Sequence, residues 1–209
     1  MALIVRDPSL VNTPPGWSAC DAELAQFRSP ESLGFVGSAG DLNRFRSRYR
    51  FAKSFRELSL DGYRPETAAA YSATARLFFV WSAFESFMEI CGLTIEGMGE
   101  HLEAYDPAVV GAKISALPGS REYLSFVLDR LTSPKPREHL AAFLGGDPCN
   151  LLFVPAGIRH IFAHGDLTPH AGGVNPYVAQ EMANLLSEFI FKVMDGEFTR
   201  RLREHGVAA

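Results

Sequence analysis

The chain has 209 residues, 47% hydrophobic and 21% charged, with a formal net charge of −4. That length supports one substantial core, and that balance excludes a disordered polyelectrolyte. Weak net acidity also means that nucleic acid must be met by a local basic patch rather than by the field of the whole molecule. Cys20, Cys91 and Cys149 are odd in number, far apart and without a C-x-x-C pair. Neither a disulfide framework nor a zinc knuckle fits, so reduced thiols in a cytoplasmic protein are expected. Within the first ten residues only Leu3-Ile4-Val5 is apolar, too short for a signal-peptide core. The most apolar run, Leu77 to Phe84, is cut by Glu85 and falls well short of the roughly 20 residues that span a bilayer. No membrane partner is expected.

In chain order, residues 1–40 are rich in proline and glycine and read as an irregular N-terminal extension. One short helix is expected there, over about Asp21 to Phe27 and started by Ser18 or Asp21. Residues 41–209 read as one all-α domain. Asp41 is the expected N-cap of a helix running to about Ser59 and stopped by Asp61-Gly62, with Leu42, Phe45, Tyr49 and Ala52 as its apolar stripe. Pro65 suits a first helical position and Gly92 a terminal one, which predicts a long helix between them. Leu77, Val80, Trp81, Phe84, Phe87 and Met88 recur along it at three and four, so it should be buried on more than one side. Asp106-Pro107, Ser133-Pro134, Asp147-Pro148 and Asn175-Pro176 each pair a capping residue with proline and predict four further helix starts. The last helix is expected from Pro176 to about Met194, with Val178, Met182, Leu185, Leu186, Phe189 and Val193 facing the core. No strand pattern or internal repeat competes with this all-α reading.

Chemistry concentrates in Arg159-His160-Ile161-Phe162-Ala163-His164, on a helix that Gly165 should end. Arginine is a permanent planar donor fork suited to phosphate, and histidine exchanges protons near neutrality. Together they can bind a phosphodiester and move the protons needed to break it without a metal. His160 and His164, four apart, share a helix face. Arg159 and His164 are about 7–8 Å apart along the axis and differ in direction by about 140°. A phosphate touching both must therefore lie in the groove between them. The helix dipole should favour the protonated imidazole near this terminus. The plain alternative is an ion-paired Arg159 and a His164 that caps the last carbonyls. His160-x3-His164 also matches a metal-pair spacing, but no Glu follows the first histidine and no third ligand stands nearby, so no metal or cofactor is expected.

This hexapeptide resembles the R-x4–6-H motif of the HEPN (higher eukaryotes and prokaryotes nucleotide-binding) superfamily, and Gly165 resembles the small residue that often follows its histidine. The helix bearing Phe78-Phe79-Val80-Trp81-Ser82-Ala83-Phe84-Glu85-Ser86-Phe87 is similar to the first core helix of such proteins, including an embedded acid at Glu85. The resemblance spans about residues 65–195. It implies a helical bundle that dimerises with two motifs facing one another across a cleft. Active members are metal-independent ribonucleases, of the kind found in toxin–antitoxin and phage-defence systems. Arg159 would then grip the scissile phosphate, and His164 would act as general acid or base with the partner's His164 in the complementary role. The products implied are a 2′,3′-cyclic phosphate and a 5′-hydroxyl. His160 stands where the family often has Asn or Asp, which leaves it to orient the site, touch phosphate or join proton transfer. The implied partners are a second copy of the chain, RNA and an antitoxin or regulatory protein. The competing expectation is a catalytically silent HEPN-like module that binds nucleotide, RNA or protein.

Two further features bear on a site. An unpaired carboxylate at Glu85, on so apolar a helix, would be costly. It must reach an exposed edge or bond a basic group such as Arg159 or a histidine. Arg44, Arg46, Arg48, Arg50 and Lys53, interleaved with Phe45, Tyr49 and Phe51, have the look of a nucleic-acid surface. The alternative is a solvated helix face whose aromatics pack inward.

Overall fold

The structure, a computed structural model, describes residues 11–26 and 28–208. The readings for the first ten residues and for a helix end at Phe27 lie outside the described residues. The described chain is all-helical: α1 (Trp17–Ala25), α2 (Ala39–Ser54), α3 (Pro65–Cys91), α4 (Ile95–Gly99), α5 (Pro107–Ser115), α6 (Ser120–Arg130), α7 (Pro134–Gly145), α8 (Phe153–Ala163) and α9 (Pro176–Glu204). Short 3₁₀ turns at Pro30–Leu33, Leu102–Tyr105 and Ala171–Gly173 join some of them. No helix among the described residues is long and apolar enough to cross a membrane.

Helix α3 is the axis of the bundle. Pro65 opens it, and Gly92 closes it in the left-handed conformation that an L side chain resists. Its predicted apolar residues Leu77, Val80, Trp81, Phe84, Phe87 and Met88 are all buried. It packs chiefly against α9 and α2, with α8 on a further flank. That surround explains why its hydrophobicity runs most of the way round. Helices α3 and α9 run in the same direction, since Arg76 pairs with Glu188 and Cys91 lies beside Arg201 and Glu197.

Several boundaries differ from expectation for identifiable reasons. The first helix begins at Trp17 rather than near Asp21, because Trp17 is buried against Phe198 with ring centroids 5.8 Å apart. Helix α2 is capped by Ser38, not Asp41. Asp41 sits at the third helical position and returns a bond to the Ser38 backbone, a capping box. The helix ends at Ser54 because Phe55 turns extended and sets its ring 5.2 Å from Phe79, while the Leu58 N–H donates to Ser72 Oγ at 3.0 Å. Pro107, Pro134 and Pro176 start helices as expected. Pro148 does not. Asn150 holds that turn instead, accepting from the Leu152 N–H at 3.0 Å and donating to the Ile95 carbonyl at 3.0 Å, so α8 begins at Phe153.

Helix α9 continues to Glu204 rather than stopping near Met194. Gly196, inside the helix, is a packing device: a Cβ there would collide with the Tyr105 ring. The close approach lets Tyr105 Oη donate to Glu197 Oε1 at 2.9 Å. Glu197 is only 2% exposed. Burial raises its pKa, but hydrogen bonds from Arg200 and Tyr105 outweigh that and hold it below the usual carboxylate value.

Candidate functional site

The RHIFAH segment occupies the last turns of α8, the helix with the most one-sided apolar face in the chain. Val154, Gly157, Ile158 and Ile161 are buried against the bundle, whereas Arg159 and His160 are half-buried and His164 is exposed. The helix ends in a Schellman cap: the Gly165 N–H donates to the Phe162 carbonyl at 3.0 Å and the Asp166 N–H to the Ile161 carbonyl at 3.2 Å. Gly165 takes φ +81°, so His164 is the residue at which the helix lets go. Its imidazole therefore stands at a solvent-facing helix terminus.

Arg159 is ion-paired. Its Nη2 donates to Glu85 Oε2 at 3.3 Å, and its guanidinium lies 5.7 Å from the centre of the Phe78 ring. The other carboxylate oxygen of Glu85 accepts from Trp81 Nε1 at 2.9 Å, one turn earlier on α3. Glu85 thus satisfies both sequence alternatives: it is partly exposed and it also bonds Arg159. With Trp81 anchoring one oxygen, the second is aimed at α8. Arginine carries five N–H donors, so most of the Arg159 fork stays free for a phosphate. Phe162 lies 6.4 Å from Phe78 and completes an apolar rim on this side.

His160 and His164 meet edge to face with ring centroids 4.5 Å apart. Burial, then the neighbouring His164 and Arg159 charges, push the His160 pKa below its usual 6.5. The shift favours the uncharged imidazole at neutral pH. An NMR titration should place the His160 midpoint below 6.5, and Arg159→Ala should move it upward; an unmoved midpoint would remove Arg159 as a cause. No hydrogen bond or ion pair joins Arg159 to His164. The structure brings together Arg159 with Glu85, and His160 with His164, as two adjoining pairs on one helix end.

The α2 cations divide between two sides of their helix. Arg44 pairs with Asp41 at 2.9 Å, and Arg48 donates to Ser86 Oγ. On the other side Arg46 lies 5.1 Å over Trp17, Arg50 donates to the Val11 carbonyl at 3.2 Å, and Lys53 sits 4.2 Å over Phe191. Phe45 and Tyr49 pack inward, whereas Phe51 is 55% exposed. What remains of the aromatic–basic pattern is a groove of about 230 Å³ between α2 and α3, lined by Ser47, Arg48, Phe51, Phe79 and Ser82. Ser86, which anchors Arg48, neighbours Glu85 in sequence, so this groove and the Arg159 pair flank one strip of α3.

Sequence reasoning did not reach Trp81 or Phe78 as supports of the site. The signal for Trp81 was present, since Trp81 and Glu85 are four apart and share a helix face. Nothing in the pattern separated Phe78 from the core aromatics around it. No protein-family model matches the chain, and no curated protein or solved structure shows significant similarity to it.

Proposed function

We propose that the chain is a HEPN-type, metal-independent endoribonuclease that acts as a homodimer through Arg159 and His164. One observation carries the reading: Arg159 is oriented by a carboxylate on the long central helix, beside two touching imidazoles at an open helix end. That set supplies phosphate binding and proton transfer without a metal. Phe78, Ser82 and Glu85 are half-buried and Glu89 is exposed, at spacings of four, three and four, so this strip of α3 is only partly covered by the bundle. A second copy seated on it would bring two Arg159–His164 sets toward one cleft. Each RNA strand would then have an acid and a base from different subunits. Phe51 beside Arg48 offers a stacking ring and a cation for an adjacent nucleotide. Toxin or defence activity under the control of an antitoxin is the biological setting that such cleavage fits.

The test is incubation of the purified protein with RNA in EDTA, alongside Arg159→Ala and His164→Ala. Cleavage that persists in chelator, yields 2′,3′-cyclic phosphate ends and vanishes in both variants is expected. RNA binding without cleavage in the wild type would instead favour a silent binding module. Growth arrest on expression, relieved by either substitution, is the corresponding result in cells.

A further inference from the structure

Helix α5 is apolar in sequence yet poorly covered. Ile114 alone among its residues is buried, while Ala108, Val109, Ala112 and, at the C-cap, Ala116 are exposed. Val109 is 53% exposed. Beside α5, along the end of α7, runs a groove of about 500 Å³. Its walls are mainly apolar: Pro107, Ala108 and Gly111 come from α5, and Phe143, Pro148 and Leu151 from α7 and the stretch leading to α8. Glu103 and Asp147 also line it, and neither carboxylate has a hydrogen-bond or ion-pair partner among the described residues. Beyond Pro148 and Cys149, an adjoining cleft adds Glu100, likewise without a partner among the described residues, while His139 there accepts the Asn150 N–H at 3.2 Å. No lysine or arginine of the described residues lines the groove. Cations nearby are engaged elsewhere: Lys192 on Asp106 at 3.0 Å, Lys135 on Glu96, and Arg121 on the Leu144 carbonyl at 3.0 Å. Lys113 stands about 200° round α5 from Gly111, on the side away from the groove.

An apolar groove with acidic margins and no cation of its own fits an occupant that is apolar on one side and basic at its edges. A second copy of the chain is a poor occupant. A two-fold contact on this face would set Glu103 and Asp147 against their own kind, in a chain whose net charge is already −4. The small side chains Ala108 and Ala112, with Gly111, let the axis of another helix come close. We propose that α5 and this groove dock a basic amphipathic helix of a protein partner, its apolar stripe on Ala108, Ala112 and Phe143 and its lysines or arginines on Glu103 and Asp147. Leu151 lies next to the start of α8, whereas His164 lies at its far end, roughly 16 Å along the axis. A docked partner therefore leaves the α8 terminus open, and the proposal does not rest on ribonuclease activity.

Fluorescence anisotropy of the full chain with labelled synthetic helices tests it. The probe is a peptide of about five turns with leucine on one face and lysine on the other. Its controls are the leucine–glutamate counterpart and a scrambled leucine–lysine peptide. The amphipathic basic helix should bind one to one, at least about tenfold more tightly than either control. The double variant Glu103→Lys with Asp147→Lys should weaken it by about tenfold, through two lost attractions and two new repulsions. Ala112→Lys, an exposed change to another good helix former, should weaken it comparably while the helical circular dichroism is retained. Asp61→Lys with Glu66→Lys makes the same change in net charge at two other exposed positions and should leave binding as in the wild type. Arg159→Ala should also bind the peptide like the wild type, so failure of the ribonuclease reading and failure of this one are read separately. No saturable binding at submillimolar peptide overturns the proposal. So does equal binding of the leucine–glutamate or scrambled peptide, affinity unchanged by the groove variants, or an equal loss on reversing Asp61 and Glu66. A wild-type dimer that Ala112→Lys dissociates in sedimentation would make the occupant a second copy and overturn it too.

Discussion

Arg159→Ala is expected to lower RNA cleavage by about 10²–10³-fold, the usual cost of removing one preorganised donor from a developing oxyanion. His164→Ala should cost about 10²–10⁴-fold, as for loss of a general acid or base. Both side chains are partly exposed, so neither change should move the urea midpoint appreciably. That contrast separates a chemical role from a structural one. Glu85 is a positioning residue on this view and should behave differently. Glu85→Gln keeps an acceptor for Trp81 Nε1 but withdraws the charge that fixes Arg159. It should therefore lose less activity than Glu85→Ala, chiefly by weakening RNA binding. In the proposed reaction the attacking group is the ribose 2′-hydroxyl, so a substrate with deoxyribose at the cleavage position should resist the wild type while still binding. Equal cleavage by wild type, Arg159→Ala and His164→Ala would end the ribonuclease reading, whatever the protein's affinity for RNA.

Much of the bundle could be read in advance because its signals are local. Pro65 and Gly92 bracket α3, and the three-and-four spacing from Leu77 to Met88 states its burial. The α8 terminus was legible for the same reason, since a helix, a glycine and three polar side chains lie within seven residues. What escaped depends on contacts between distant segments. Ser38 rather than Asp41 caps α2, although both residues of the capping box are in plain sight; a carboxylate at the third position serves the cap as well as at the first. Asn150 displaces Asp147-Pro148 as the start of α8 because its amide bonds the Ile95 carbonyl, 55 residues away. The arginines of α2 looked like one stripe in the sequence. At about 100° per residue, alternate positions fall on opposite sides of a helix, and each side finds its own partner. Among the aromatic residues of α3, Trp81, Phe84 and Phe87 fall on the spacing that states burial and are buried. Phe78 and Phe79 are the exceptions, left half-buried at the two edges where the candidate surfaces lie.

Phe198→Ala is expected to destabilise the chain by about 3–5 kcal/mol, the range for deleting a fully buried aromatic ring. Phe198 lies beyond Met194, near which α9 was expected to end, yet Met194, Phe198 and Leu202 continue its stripe at intervals of four and are all buried. Its ring stacks on Trp17 at 5.8 Å and on Phe35 at 5.1 Å, and tilts against Phe45 at 5.9 Å. These contacts add to burial, since each well-oriented aromatic pair contributes about 0.5–1.5 kcal/mol beyond its area. One side chain therefore joins three segments: α1, the stretch after the first 3₁₀ turn, and α2. Alanine would leave a cavity among rigid rings that cannot easily collapse into it. Urea unfolding should show the lower midpoint, and hydrogen exchange should show amide protection falling first in α1, which has few other deep anchors than Trp17 and Cys20. Phe162→Ala, on the half-buried rim of the α8 site, is the matched control and should cost clearly less. If instead Phe198→Ala unfolds within about 1 kcal/mol of the wild type, Trp17 and Phe35 are not held by α9. The proline-rich leading segment would then be an appendage rather than part of the core.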